Sequence, residues 1–106
     1  MKAYIKNIAY ALPAKAISNE DLVRDFPEWT AEKVADKLGV KQRHVVSETE
    51  TAADLATQAA ENLFKENPDI QRENIDFVLL CTQSPDYFLP TSACIIQHRL
   101  GLPTHI

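Results

Sequence analysis

Phe77-Val78-Leu79-Leu80-Cys81 is an unbroken apolar run set directly after Asp76. A strand with one wet face alternates apolar and polar residues, whereas a run without alternation suits a strand covered on both faces, as in a parallel sheet. The segment before it, TAADLATQAAENLFKE at 51–66, has a different period: Ala52, Leu55, Ala56, Ala59, Ala60, Leu63 and Phe64 recur along one face of a helix. Thr51 and Asp54 have the spacing of a capping box at its start, and Asn67-Pro68 stops it. The alanine-rich stripe lets this helix approach a sheet closely. After the run, TQSPDYFLP at 82–90 reads as a loop, and Pro90-Thr91-Ser92 opens a helix with Ala93, Ile96 and Leu100 on one side. Gly101 caps that helix, Pro103 bars its continuation and Thr104-His105-Ile106 opens a further strand. Helix, strand, helix, strand over 51–106 is the alternation of an α/β fold.

The first half is organised differently. AYIKNIAY at 3–10 reads as a first strand closed by Pro13. Lys6 and Asn7 interrupt its apolar stretch, which favours a strand over a secretion signal. Residues 14–50 read as a looser insertion. Within it, Ser18 with Asp21 starts a short helix bearing Leu22, Val23 and Phe26, and Pro27 ends it. Thr30 opens a second helix with Val34 and Leu38 on one face, Gly39 takes the left-handed position after it, and VKQRHVV at 40–46 is extended.

Composition narrows the function classes. A chain of 106 residues fits one domain or a piece of a larger one, and its net charge of −4 argues against a nucleic-acid binder. No apolar run of about 18 residues is present, so no transmembrane helix is expected. The two cysteines form no CxxC, which points to free thiols in a reducing cytoplasm. The two glycines, Gly39 and Gly101, cannot write a glycine-rich phosphate loop.

Few residues offer chemistry. Cys94 and His98 share a helix face and could form a nucleophile pair or two metal ligands; no clustered further ligands accompany them, and a small core thiol beside an edge histidine is the favoured reading. Cys81 ends a strand, where α/β ligands gather, but the apolar run before it favours burial. Ser84 and Asp86 lack a nearby histidine and read as plain turn chemistry. Tyr87, Phe88 and Leu89 either mark a contact surface or fold back on the core. Trp29 could stack on a planar ligand, with Lys33, Lys37, Lys41 and Arg43 close by to meet a phosphate; on the residues alone, a packed tryptophan beside solvated lysines is favoured.

Taken together, Ala9-Tyr10-Ala11-Leu12-Pro13, Ser18-Asn19-Glu20-Asp21-Leu22, Glu28-Trp29, Leu38-Gly39-Val40-Lys41-Gln42-Arg43-His44, Cys81-Thr82-Gln83-Ser84 and Leu89-Pro90-Thr91-Ser92-Ala93-Cys94-Ile95-Ile96-Gln97 give the chain a specific likeness. It resembles the thiolase-like condensing enzymes, specifically β-ketoacyl-acyl carrier protein synthase III, over their N-terminal portion. The resemblance implies the N-terminal part of a thiolase-like α/β fold, with a mixed or parallel sheet and helices packed on it. It also implies an acyltransferase that starts fatty-acid or related chains. In such an enzyme a cysteine takes the acyl group from acyl-CoA, malonyl-carrier protein loses CO₂, and the carbanion attacks the thioester.

Several expectations follow from that likeness. The nucleophilic cysteine and the histidine and asparagine that bind the thioester oxygen fall after the position of Ile106, so no catalytic or metal-binding residue is expected here and the chain alone is expected to be inactive. Cys94 matches a cysteine of the preceding helix and not the nucleophile. Trp29 matches the tryptophan that stacks on the CoA adenine, and Lys37 stands where a basic residue holds CoA; the stretch from Trp29 to Gly39 is longer than the usual pattern by about one helical turn. Leu89, with Phe88 beside it, matches the loop that crosses a homodimer interface into the partner's acyl pocket. Acyl carrier protein, acyl-CoA as substrate and a second copy are the implied partners, with no resident cofactor and no membrane. A non-catalytic α/β association module and a condensing enzyme of secondary metabolism are the competing readings. An interrupted parallel sheet would leave edges that self-associate.

Overall fold

The structure, a computed structural model, describes residues 2–106. The chain divides into two compact units, one of Leu12–Thr49 and one of Met1–Ala11 with Glu50–Ile106.

The unit of residues 12–49 holds strand β1 (Lys15–Ser18), helix α1 (Asn19–Asp25), helix α2 (Ala31–Leu38) and strand β2 (Gln42–Val45). Local chemistry sets each boundary. The Ser18 hydroxyl accepts from the Asp21 amide while the Asp21 carboxylate accepts from the Ser18 amide, a complete capping box. The Thr30 hydroxyl accepts from the Lys33 amide at the start of α2. Gly39 ends α2 at φ +66, a left-handed conformation in which a side chain would be strained. β1 and β2 pair antiparallel, with Lys15 opposite Val45 and Ser18 opposite Gln42.

The other unit holds helix α3 (Ala52–Glu66), a 3₁₀ turn at Arg72–Asn74 and helix α4 (Ser92–Arg99). Thr51 and Asp54 form the predicted capping box of α3. Ala53, Ile96, Leu100 and Leu102 are buried together, and Ala56, Ala60, Phe64, Ile75, Val78 and Leu80 pack against them. The stripe of α3 that faces this core runs through Ala53, Ala56, Ala60 and Phe64, so the fully buried Ala53 replaces Ala52 of the predicted face. Arg72 anchors the 3₁₀ turn: its guanidinium grips both Glu61 oxygens at 3.1 and 2.6 Å, reaches the Leu100 carbonyl and lies 4.7 Å over the Phe64 ring. Gly101, at φ +62, turns the chain out of α4 so that Leu102 enters the core.

The predicted strands at 3–10, 77–81 and 104–106 take no place in a sheet, and the described residues contain no parallel pairing; the sheet they do form is the two-stranded antiparallel β1–β2. The physical reason is that a strand exists only with a neighbour to bond. Residues 7–11 and 77–81 nonetheless keep a period of two in their exposure, while residues 3–6 are exposed throughout. Asn7, Ala9 and Ala11 turn partly inward while Ile8 and Tyr10 are exposed, and Val78 and Leu80 pack on the helices while Phe77 and Leu79 stand 75% and 83% exposed. Side contacts hold residues 6–10: Lys6 pairs with Asp69 at 2.9 Å, Asn7 bonds Asn67, and the Asn62 amide donates to the Tyr10 carbonyl at 3.1 Å.

Candidate functional site

The residues of α1 and α2 build the one place where the sequence-predicted ligand residues meet. Leu22, Val23 and Phe26 from the first helix face Val34, Lys37 and Leu38 from the second, and Trp29 closes the cleft between them, about 270 Å³ in volume. Trp29 is fixed from behind by its amide, which donates to the Phe26 carbonyl at 3.0 Å. Trp29 remains 38% exposed. The Lys37 ammonium lies 5.4 Å from the ring centroid, within reach of a cation–π attraction worth ~0.5–1 kcal/mol at an exposed site. Trp29 and Lys37 therefore stand side by side: an aromatic face to stack on and an exposed cation beside it. Lys33 and Lys41 are exposed and do not line the cleft.

Arg43 does not join that cationic group. Its guanidinium donates to the Ser18 carbonyl at 3.3 Å and to the Asn19 side-chain oxygen at 2.5 Å. Asn19, which sequence reasoning passed over, is buried; its amide also donates to the Val40 carbonyl at 2.9 Å. His44 sets Nδ1 2.6 Å from the Pro13 carbonyl, and a carbonyl only accepts, so Nδ1 carries the proton. The Gly39–His44 segment thus serves to close the β1–β2 pair over the start of α1. An i+1 polar residue after a helix cap was the only available signal for Asn19.

The thiols are placed otherwise than expected. Cys81 and Cys94 are both free and exposed, not buried in the core. Cys81 follows the inward–outward alternation of its segment, which turns it outward with Phe77 and Leu79. On α4 the buried line runs Ser92, Ile96, Leu100, which leaves Cys94 and His98 on the outer side. Cys94 Sγ accepts from the Thr91 hydroxyl at 3.4 Å, and no hydrogen bond joins it to His98 among the described residues. Nor do the described residues hold a cluster of metal-ligating side chains.

The 82–90 loop is pinned at Asp86. The Thr51 hydroxyl donates to Asp86 Oδ2 at 3.2 Å, and the Asp86 amide donates to Ser92 Oγ at 3.1 Å. One residue thereby fastens the loop to the first turns of α3 and α4, which is more than turn chemistry. Asp54, at the start of α3, also takes Arg99 at 2.7 Å. The Thr51 backbone and hydroxyl, and then Arg99, hold the Asp54 carboxyl below the usual carboxylate range. Beyond Asp86 the loop projects outward: Phe88 is 99% exposed and Leu89 82% exposed, so these side chains do not fold back on the core.

No protein-family model matches the chain. Curated relatives and solved structures do. Beta-ketoacyl-[acyl-carrier-protein] synthase III of Campylobacter jejuni subsp. doylei is 41% identical over 103 residues, which is 96% of this chain and 31% of the relative. A crystal structure of a 3-oxoacyl-(acyl-carrier-protein) synthase III superposes with a TM-score of 0.87 at 50% identity, over 95% of this chain and 30% of that one. The chain resembles the N-terminal portion of a synthase III. Its fold is correspondingly the N-terminal α/β portion of a thiolase-like fold. The synthase III from Thermus thermophilus agrees, with a TM-score of 0.83 at 29% identity over 94% of this chain and 30% of that structure. The chain thus spans about a third of the length of the synthases it matches, 31% in the Campylobacter case.

Proposed function

We propose that this chain is the CoA-gripping N-terminal lobe of a β-ketoacyl-acyl carrier protein synthase III-type acyltransferase. The observation that carries the reading is the similarity to such synthases along 96% of the chain. The whole enzyme performs a decarboxylative Claisen condensation. A cysteine thiolate attacks the acyl-CoA carbonyl and expels the CoA thiolate. Malonyl-carrier protein loses CO₂, and its enolate attacks the enzyme-bound thioester, which returns the cysteine thiolate and leaves a 3-oxoacyl-carrier protein. The lobe contributes binding and shape, not the reacting atom. Cys94 touches a threonine hydroxyl and no base, so nothing beside it takes the thiol proton.

The lobe's own part is at Trp29 and Lys37. An adenine stacks on the exposed indole face, and the Lys37 ammonium leaves that ring for a CoA phosphate, exchanging a cation–π contact for a charge-assisted hydrogen bond. The apolar walls of the cleft exclude water from the stacked face. The second part is the 82–90 loop. Its bare Phe88 and Leu89 suit insertion into a second copy of the enzyme, where the smaller, non-aromatic Leu89 leaves room for a longer acyl chain. Carrier protein is the other macromolecular partner. The enzyme works in the cytoplasm, at the start of fatty-acid synthesis; among the described residues no helix is long and apolar enough to cross a membrane.

The test uses the single tryptophan, Trp29, as its own reporter. CoA titrated into the chain quenches Trp29 emission saturably, and Lys37→Ala weakens the binding about fivefold, an exposed charge contact of ~1 kcal/mol. Acetyl-CoA leaves no acetyl adduct on Cys81 or Cys94 by intact mass. Emission unchanged up to about millimolar CoA, a concentration that would reveal ~4 kcal/mol of binding, refutes the CoA-gripping role.

A further inference from the structure

Asp86 is bonded in a way that turn chemistry does not explain. An aspartate that serves a turn bonds backbone within a few residues of itself. The Asp86 carboxylate instead takes the Thr51 hydroxyl, 35 residues back, at 3.2 Å on Oδ2. Its Oδ1 is buried and has no partner among the described residues. A carboxylate oxygen withdrawn from water without a donor costs stability, and aspartate ordinarily stays in water. The backbone of Asp86 is committed as well. Its amide donates to Ser92 Oγ at 3.1 Å, which joins residues six apart, and Ser92 is itself buried in the first turn of α4. That bond closes a short loop with Leu89 midway along it. Closing a chain removes conformational freedom from the residues inside it. The tip at Phe88 and Leu89 is thus exposed while its base is bonded to α4 and to the cap of α3.

We infer that Asp86 is a positioning residue for acyl-chain selection: with Thr51 and Ser92 it fixes where Leu89 stands in the acyl pocket of a second copy, and so sets how sharply the enzyme discriminates among acyl-CoA chain lengths. Asp86 acts through Leu89 and touches neither the acyl chain nor the reacting thiol. One methylene in an apolar pocket is worth about 10–200-fold in kcat/KM, and an apolar wall holds that discrimination only while its own position is held. The inference rests on the reading of Leu89 as an acyl-pocket residue and goes beyond it, since the base of the loop then sets the pocket as much as the side chain at its tip.

The test is made in an assembled synthase carrying this lobe, with kcat/KM measured for straight-chain acyl-CoA donors of increasing length. Asp86→Ala, which removes the acceptor for Thr51, and Ser92→Ala, which removes the acceptor for the Asp86 amide, each flatten the chain-length profile. The ratio of the best donor to the next falls at least about threefold, part of the worth of one methylene. Thr51→Val flattens it in the same way, and Thr51→Ser, which keeps the hydroxyl, restores the original profile. The three disabling changes reach the base of the loop through different residues, so one that fails to fold leaves the others to decide. Gly39→Ala strains the backbone of the other unit without touching these bonds, and it leaves the ratios unchanged. An equal loss of kcat/KM for every donor, with the ratios intact, marks a structural role alone and overturns the inference. A profile that Leu89→Phe alters and the Asp86, Ser92 and Thr51 variants do not also overturns it, and leaves the reading of Leu89 standing. A profile that none of these variants alters overturns both.

Discussion

The bond between Thr51 and Asp86 admits a sharp test, because one hydroxyl performs two tasks. It accepts from the Asp54 amide at 3.2 Å, which caps α3, and it donates to Asp86 Oδ2 at 3.2 Å, which ties the loop 35 residues away. Removing an N-cap threonine costs about 1 kcal/mol, and losing a hydrogen bond to a charged group costs about 1.5 kcal/mol at the low end suited to a half-buried pair. Thr51→Ala is therefore expected to destabilise the chain by about 2.5 kcal/mol, a fall in melting temperature of roughly 10–20 °C for a chain of this size. Thr51→Ser keeps both bonds and stays close to wild type. In an Asp86→Ala background the same Thr51→Ala change costs only the cap, so the double-mutant cycle reads a coupling of about 1.5 kcal/mol. Urea unfolding followed by far-ultraviolet circular dichroism measures all four species. A coupling indistinguishable from zero, or a serine as damaging as the alanine, would refute the two-task account.

Acid should loosen α3 in a definable direction. Asp54 titrates lower in the folded chain than in the unfolded one, so its contribution is complete above the ordinary carboxylate range and is lost as pH falls through the folded value. The urea midpoint accordingly falls between about pH 5 and about pH 2, and Asp54→Asn makes that fall shallower. Gly39→Ala meets no atom but must hold φ +66, at a cost of about 1 kcal/mol read as a lower melting temperature. Leu100→Ala empties the centre of the Ala53–Ile96 cluster and costs roughly 2–5 kcal/mol by the same melts. In an assembled synthase carrying this lobe, Leu89→Phe shifts the ratio of turnover towards shorter acyl-CoA donors, and an unchanged ratio counts against Leu89 as a pocket residue.

Local chemistry was legible in the residues. Ser18 with Asp21, Thr51 with Asp54, Thr30, Gly39 and Gly101 all act where their spacing places them, because a cap needs only partners within one helical turn. The likeness to synthase III was legible for a different reason, since it summed many short segments along the whole chain. Strand pairing was not legible. The run at 77–81 has the composition of a doubly covered strand, yet a ladder depends on a neighbour that a local pattern does not name, and the pairing fell instead to residues 15–18 and 42–45. The burial of Cys81 and Cys94 failed likewise: which side of a segment faces the helices is decided by residues far along the chain. The Arg43–Asn19 bond spans 24 residues and the Thr51–Asp86 bond spans 35, and neither leaves a mark at short range.

Asp86 also bears on how the molecule breathes. Its carboxylate holds the beginning of one helix through Thr51, and its amide holds the beginning of another through Ser92. The projecting Phe88 and Leu89 therefore follow directly on a doubly anchored residue. Moving the base of that loop as a whole means releasing Asp86 from Thr51 and from Ser92, so its placement is tied to the starts of two helices at once.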